Sequence, residues 1–513
     1  MASAAQGAIP ERFNIARHCL ARPAIAAADK IALLVVSDVA ARIECAERWT
    51  YGELDVAVRR VGAGLLRHGL VPGDRLLVRL PNSSDYALMF LGAISAGLVP
   101  IPVSAQLTEG ETAFLLADSA AAAIAQTRPP ALASVDRAAV AVLDKTTIAR
   151  LKEFAPLADH ADTRAEAPAY IVYTSGTSSR PKGVVHAHRS VLGRAPMRRD
   201  WQGLGPNDVM LHAGAFNWSY TFGVGLLDPW AAGATTALYN GPKDIAIWPK
   251  LIGATGATLF AAVPSLYRQM LKYCDLAPGE LASLRHCLAA GEALSPTLLA
   301  QWRAATGKEI YEAFGMSECS TFVSNHEGMA VKPGSPGKPQ RGRPIAVLPL
   351  SGEPEPLAAG EIGLLAIHRS DPGLMLGYWR RPEEEAKAFH GDWFVGGDLA
   401  AFDQDGYLWH HGRADDVMNA GGYRVSPLEV EAALADCPGI AEVAVVEHRP
   451  RAEVGIIAAY VVRLPGSNVD ADAVLAHAAL RLAAYKRPKQ AFFVEALPRS
   501  ANGKLVRRAL APP

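Results

Sequence analysis

Ile171-Val-Tyr-Thr-Ser-Gly-Thr-Ser-Ser-Arg-Pro-Lys182-Gly-Val-Val185 reads as a β-strand entering a loop of hydroxyls and glycine that ends on a lysine. Thr174, Ser175, Thr177 and Ser178 offer hydroxyl donors, Gly176 lets backbone N–H groups come close, and Lys182 adds positive charge. Such a set can cradle a polyphosphate. The G-x-x-x-x-G-K-[ST] spacing of a Walker loop is missing. A polar surface loop of the same composition is the plain alternative.

Upstream of this loop the chain alternates strand-like apolar runs with longer helical patterns, which predicts α/β layers. Asp74-Arg-Leu-Leu-Val-Arg-Leu80 is one such run and Leu98-Val-Pro-Ile-Pro-Val103 another. Between them Tyr86 to Ala105 carries no charge over 20 residues, about the length that spans a bilayer. Gly92, Gly97, Pro100 and Pro102 would break a spanning helix, so a buried helix ending near Gly97 and running into a buried strand is expected. Asp136 to Ala165 looks variable.

Downstream, from about 333 to 412, the texture changes to short strands and turns, as at Ser351-Gly-Glu-Pro354 and Asp403-Gln-Asp-Gly406, and predicts a β-rich subdomain. Gly412-Arg-Ala-Asp-Asp416 then precedes a self-contained C-terminal pattern. Ser426-Pro-Leu-Glu429 has the form of a capping box with proline at the first helical position. Strands are expected at Ala441–Glu447 and Gly455–Arg463, and a helix at about Asp472–Ala484 with Val474, Leu475, Ala478 and Leu482 on one face. The expected domains are therefore 1–412, a hinge at 413–416 and a small α+β unit at 417–513.

The 513 residues carry 51 basic and 51 acidic side chains, so no global field steers the protein to nucleic acid or an anionic membrane. Half of the residues are apolar, which suits ordinary buried cores rather than long disordered tails. Cys19, Cys45, Cys274, Cys287, Cys319 and Cys437 are scattered, without C-x-x-C pairs or zinc spacing. With no basic-then-apolar leader at the N-terminus, a reducing, cytoplasmic setting is expected. His186, His188, His410 and His411 read as structural or surface residues, since adjacent histidines on a strand face opposite ways. Homo-oligomerisation is left open.

The 171–185 segment closely resembles the signature loop, roughly YTSGTTGxPKGV, of the AMP-forming acyl/aryl-CoA synthetase superfamily; Ser178-Ser179 stands where Thr-Gly is usual, a departure that bears on pyrophosphate release. The resemblance continues in order along nearly the whole chain. Ala290-Gly-Glu-Ala293 looks like the adenine-contacting turn, implying roles for Gly291, Glu292 and Ala293. Tyr311-Glu-Ala-Phe-Gly-Met-Ser-Glu318 looks like the next motif, with Phe314 and Gly315 against adenine, Ser317 at phosphate and Glu318 on Mg²⁺. On its own Phe314 reads as a core aromatic. Gly396-Gly-Asp-Leu399 with Gly412-Arg413 resembles the ribose stretch, implying that Asp398 and Arg413 meet the ribose hydroxyls.

Asp415 falls at the family's hinge position. Asn419 to Glu431 looks like the loop lining the thioester tunnel, with Gly421, Gly422 and Arg424 at CoA; a plain turn explains the glycines nearly as well. Leu497-Pro-Arg-Ser-Ala-Asn-Gly-Lys-Leu505 resembles the PKTxSGKI motif and marks Lys504 as the catalytic lysine, with Arg499, Ser500 and Asn502 as departures. The resemblance implies an enzyme using Mg-ATP, CoA and a small carboxylic acid: the acid is joined to AMP with release of pyrophosphate, a mobile C-terminal domain rotates, and CoA takes the acyl group. Gly214-Ala-Phe-Asn-Trp-Ser-Tyr-Thr-Phe-Gly223 is most like the acetyl- and medium-chain branch. Trp218 would line the acyl pocket, and Gly315, where acetate users carry tryptophan, would leave its floor open to a medium-chain or compact aromatic monocarboxylate. An adenylating enzyme that loads a carrier protein is the rival within the class; a nucleotide hydrolase or a silent nucleotide-binding module is the rival outside it.

Overall fold

The computed structural model describes residues 9–38, 43–127, 140–174, 181–242, 244–414, 418–420, 423–451, 454–482, 484–499 and 505–510. By packing, the chain forms two compact units: Met1–Ile345 with Ile367–Asp392, and Ala346–Ala366 with Trp393–Pro513.

The first unit is built on a nine-stranded sheet. Its centre is parallel, in the order Ile310–Met316, His286–Ala290, Leu259–Ala262, Val209–His212, Thr235–Tyr239 and Ile31–Val36. Antiparallel strands close both edges. Parallel strands need long crossovers, supplied here by helices such as Pro264–Tyr273 and Pro296–Thr306, and they are buried on both faces. That burial is why Leu259-Phe-Ala-Ala262 and His286-Cys-Leu-Ala-Ala290 carry no polar alternation.

A second, four-stranded parallel sheet orders Val99–Pro102, Arg75–Arg79, Ala123–Gln126 and Ala141–Leu143. The uncharged stretch behaves as expected: a helix Ser84–Ser95, capped by the Ser83 hydroxyl, is buried along its length and leads through Gly97 into the strand Val99–Pro102. Burying Leu88, Phe90, Leu91 and Ile94 contributes roughly 1.5–3 kcal/mol each. No described helix is long and apolar enough to cross a membrane. A third sheet pairs Pro168–Thr174 with Lys182–Ala187 and the short strand Gly377–Tyr378, all antiparallel.

The second unit holds most of the strands Ile345–Leu348 and Gly363–His368 and all of Trp393–Phe402 and Leu408–Arg413. It also holds a sheet of Ile440–Arg451, Val454–Arg463 and Gln490–Phe493 covered by the helices Pro427–Leu434 and Ala471–Arg481, with Val430, Leu434, Val445, Val461, Val474 and Ala478 in one core. The expected α/β class with a small α+β C-terminal part is observed. The β-rich stretch, however, is shared out by packing: 346–366 and 393–412 belong with the C-terminal chain. The expected capping box is also corrected. The helix does begin at Pro427, but the Ser426 hydroxyl donates to the His411 carbonyl at 2.6 Å instead of capping, and Glu429 pairs with Lys486.

Candidate active site

The parallel strands of the first unit end side by side, and ligands of open α/β sheets bind beyond such carboxyl ends. The strand His286–Ala290 ends in Gly291, whose φ of +90° turns the chain at little steric cost. The Glu292 carboxylate is already engaged: it accepts the Ser265 N–H and hydroxyl, both at 3.0 Å, at the start of the helix Pro264–Tyr273. What Gly291-Glu292-Ala293 can offer a ligand is therefore mainly backbone. The adjacent strand pairs Ala290 with Ala313, and the next residue, the half-buried Phe314, has its ring edge-on to Phe322 at 5.8 Å. Gly291 and Phe314 thus directly follow a paired position on adjacent parallel strands.

Gly315 has a reason of its own. A Cβ there would lie 2.3 Å from the Ser320 carbonyl oxygen and 2.5 Å from the Thr321 Cα, at the irregular pairing of Ile310–Met316 with Ser320–Ser324. Close approach of two backbones accounts for the glycine without an acyl-pocket floor. Trp218 is half-buried directly before the short helix Ser219–Phe222. Its loop is clamped by Asn82, which donates to the Gly214 carbonyl and accepts the Phe216 N–H, both at 2.9 Å. Nothing in the local sequence singles Asn82 out. On the same side His212 accepts the Gly214 N–H at 3.0 Å, and burial pushes its pKa down to about 3, so it is neutral.

The residues expected at phosphate come from three distant segments of this unit. Thr174 and Lys182 face each other across the hairpin. Ser175, Gly176, Thr177 and Ser178 lie outside the described residues. The Lys182 ammonium lies 3.3 Å from Glu384 and 4.0 Å from the centre of the Tyr378 ring, and the Tyr378 hydroxyl donates to Glu318 Oε1 at 2.8 Å. Neither Glu384 nor Tyr378 was legible as a site residue in the sequence. The Ser317 carbonyl accepts the His186 Nε2–H at 2.8 Å; His186 is buried against Tyr170 with its pKa pushed down to about 4 by burial. His188 is likewise buried, accepting the Ile15 N–H. Among the described residues no three His, Cys, Asp or Glu side chains cluster, so there is no all-protein metal cage. A lone carboxylate, Glu318, beside a lysine fits magnesium carried in on nucleotide phosphates, which needs one or two carboxylates and keeps substrate oxygens.

In the second unit Asp398 and Arg413 are cross-strand partners, with Arg413 Nη1 3.6 Å from Asp398 Oδ2. His410 Nε2 donates to Asp398 Oδ1 at 3.0 Å. His410, read from the sequence as structural or surface, thus has a structural contact with the carboxylate expected to take ribose. Its neighbour His411 is half-buried, and desolvation lowers its pKa. Arg424 sits on the strand Tyr423–Val425, opposite Asn419. Asp415, Gly421, Gly422 and Lys504 lie outside the described residues.

The profile of the family described as AMP-binding enzyme matches residues 23–379, and that of the AMP-binding enzyme C-terminal domain matches 429–504. The chain belongs to the AMP-binding enzymes. Its relatives include the mitochondrial acyl-coenzyme A synthetase ACSM3 of Mus musculus, 31% identical over 90% of this chain and 84% of the relative. A benzoate–CoA ligase of Thauera aromatica is 33% identical over 97% of this chain and 96% of its own length. Among solved structures, ATP-bound MatB from Rhodopseudomonas palustris superposes with a TM-score of 0.87 at 26% identity, covering 97% of this chain and 98% of that one. For an AMP-binding enzyme the arrangement is chemically coherent: an aromatic face suits a purine, and a lysine and a carboxylate suit a metal-bound polyphosphate.

Proposed function

We propose that the protein is an AMP-forming carboxylate–CoA ligase that activates a monocarboxylic acid, medium-chain aliphatic or compact aromatic. The observation that carries this reading is the meeting of Lys182, Glu318 and Tyr378, next along the chain to the Phe314 and Gly291 ledge. Relatives named as an acyl-coenzyme A synthetase and a benzoate–CoA ligase support it from the sequence side.

A carboxylate is a poor electrophile, because its charge repels nucleophiles and its oxygen leaves badly. In the first half-reaction a carboxylate oxygen attacks the α-phosphorus of ATP, the bond to pyrophosphate breaks, and acyl-AMP forms. Charge builds on the phosphate oxygens, so fixed cations and N–H donors lower the barrier. Lys182 and the 174–178 loop hold the departing pyrophosphate. Glu318 would hold the magnesium that accompanies the nucleotide, which would neutralise phosphate charge. Gly291, Ala293 and Phe314 take adenine, and Asp398 with Arg413 takes the ribose hydroxyls. Lys504 brings the carboxylate and the α-phosphate together, two anions that otherwise repel.

In the second half-reaction the CoA sulfur attacks the acyl carbon, AMP leaves, and the thioester remains. The reading assigns this to a rotation about 413–416 centred on Asp415, which withdraws Lys504 and presents Gly421, Gly422 and Arg424 to pantetheine and phosphate. Trp218 lines the acyl side. A cytoplasmic location accompanies the reading, supported by six cysteines that are all free thiols. The partners are the acid, ATP and CoA.

The test is a pyrophosphate-release screen over acetate, butyrate, hexanoate, octanoate, benzoate and cyclohexanecarboxylate, followed by thiol consumption with free CoA. Acid-dependent AMP and thioester are expected. AMP formation without loss of free thiol would move the reading to carrier-protein loading, and ADP as the product would overturn it.

A further inference from the structure

Lys182 and Glu318 carry opposite charges and touch one phenol at different places, its ring face and its hydroxyl, yet among the described residues they form no ion pair with each other. Two free ions at such a site would collapse together, since attraction between opposite charges strengthens as water is excluded. Tyr378 engages both. It is 7% exposed and its backbone is stitched to both neighbours: Trp379 N–H donates to the Gly183 carbonyl at 2.7 Å, Leu376 N–H to Val185 at 2.7 Å, and Met375 N–H to the Glu318 carbonyl at 2.8 Å. The ring faces the ammonium at 4.0 Å, and the hydroxyl reaches the carboxylate at 2.8 Å. An aromatic face attracts a cation without neutralising it. A phenol fixes one carboxylate oxygen without cancelling the charge.

We infer that Tyr378 is a positioning residue that keeps Lys182 and Glu318 apart and aims each at the polyphosphate and its magnesium. The inference rests on the proposed use of Mg-ATP and adds a residue that the motif comparison did not assign. The ring acts on Lys182, hence on nucleotide affinity with or without metal. The hydroxyl acts on Glu318, hence on the metal requirement alone. Partners that orient a metal-binding carboxylate typically change metal affinity 10–100-fold when removed. Glu384, the counter-ion that Lys182 holds without nucleotide, completes the group.

The test is calorimetric titration of ATP into the full-length protein, across magnesium concentrations and in EDTA. Tyr378→Phe keeps the ring and loses the hydroxyl; it is expected to raise the magnesium concentration for half-maximal ATP affinity about tenfold and to leave ATP affinity in EDTA unchanged. Tyr378→Leu is expected to weaken ATP binding in EDTA as well. Tyr378→Trp, with an aromatic face and no hydroxyl, repeats the first result independently. Glu318→Gln should raise the requirement further, and adding Tyr378→Phe to it should change nothing more, as coupled residues do. An unchanged magnesium requirement in both aromatic variants, or additive losses in the double variant, overturns the inference. Absence of ATP binding to the unsubstituted protein would instead overturn the functional reading on which it rests.

Discussion

The buried carboxyl of Glu312 accepts the Leu294 backbone N–H at 3.0 Å. Burial dominates over that hydrogen bond and pushes the Glu312 pKa up to about 8, against 4.5 for an ordinary glutamate. The folded state therefore keeps a proton that the unfolded chain gives up.

Because the folded pKa is the higher one, the contribution of Glu312 to stability is complete below about pH 4.5 and is lost as pH rises toward about 8. Glu312→Gln, always neutral, should match the parent near pH 5 and exceed it at pH 8.5 by about 4 kcal/mol. Urea midpoints of both proteins at the two pH values check this; parallel pH dependence would show that the carboxyl ionises freely in the fold.

Lys182 pairs with Glu384 at 3.3 Å, a contact that a bound phosphate would compete with. Lys182→Ala should slow pyrophosphate release by roughly 10²–10³-fold, the loss typical when one charge-stabilising group is removed. Glu384→Gln removes the competitor and should lower the KM for ATP a few-fold. Steady-state pyrophosphate release read against ATP concentration separates the two effects, and a parent-like Lys182→Ala would remove Lys182 from the phosphate site.

Arg343 and Asp371 form a fully buried ion pair, and Asp371 also accepts the Gly373 N–H at 2.7 Å. This pair anchors the turn that leads to Met375 and Tyr378. Asp371→Ala leaves an unpaired buried guanidinium and should cost roughly 3–5 kcal/mol. Denaturant unfolding measures the loss, and a change below about 1 kcal/mol would mean that water or another group takes the aspartate's place.

Lys504→Ala should abolish acyl-AMP formation by orders of magnitude while supplied acyl-adenylate is still converted to thioester. Asp415→Pro fixes a backbone angle and should do the reverse. Single-turnover assays of each half-reaction decide: equal loss of both in Lys504→Ala removes its assigned role, and unchanged overall turnover in Asp415→Pro removes the hinge.

Much of the architecture was legible from local patterns. The apolar helix ending near Gly97, the C-terminal helix carrying Val474 and Ala478, and its flanking strands follow from apolar runs and periodicity, which act within a few residues. Local rules failed where a side chain had a better distant partner. Ser426 has the sequence of a cap, yet its hydroxyl goes to His411; Glu292 sits in a binding motif, yet its carboxylate goes to Ser265. His410 read as structural or surface, because residue type alone does not show that its ring meets Asp398 across the hairpin of two successive strands.

The order of short motifs, the hydroxyl-rich loop closing on Lys182 and the carboxylate at 318 stand in the chain whatever its conformation, because residue type and spacing alone carry that chemistry. Which groups meet is another matter. Tyr378 lies between Lys182 and Glu318 since the strand Gly377–Tyr378 pairs with Lys182–Ala187 while Met375 binds the Glu318 backbone. Pairing of that kind is set by packing and register between remote segments, energies that no local window of residues contains.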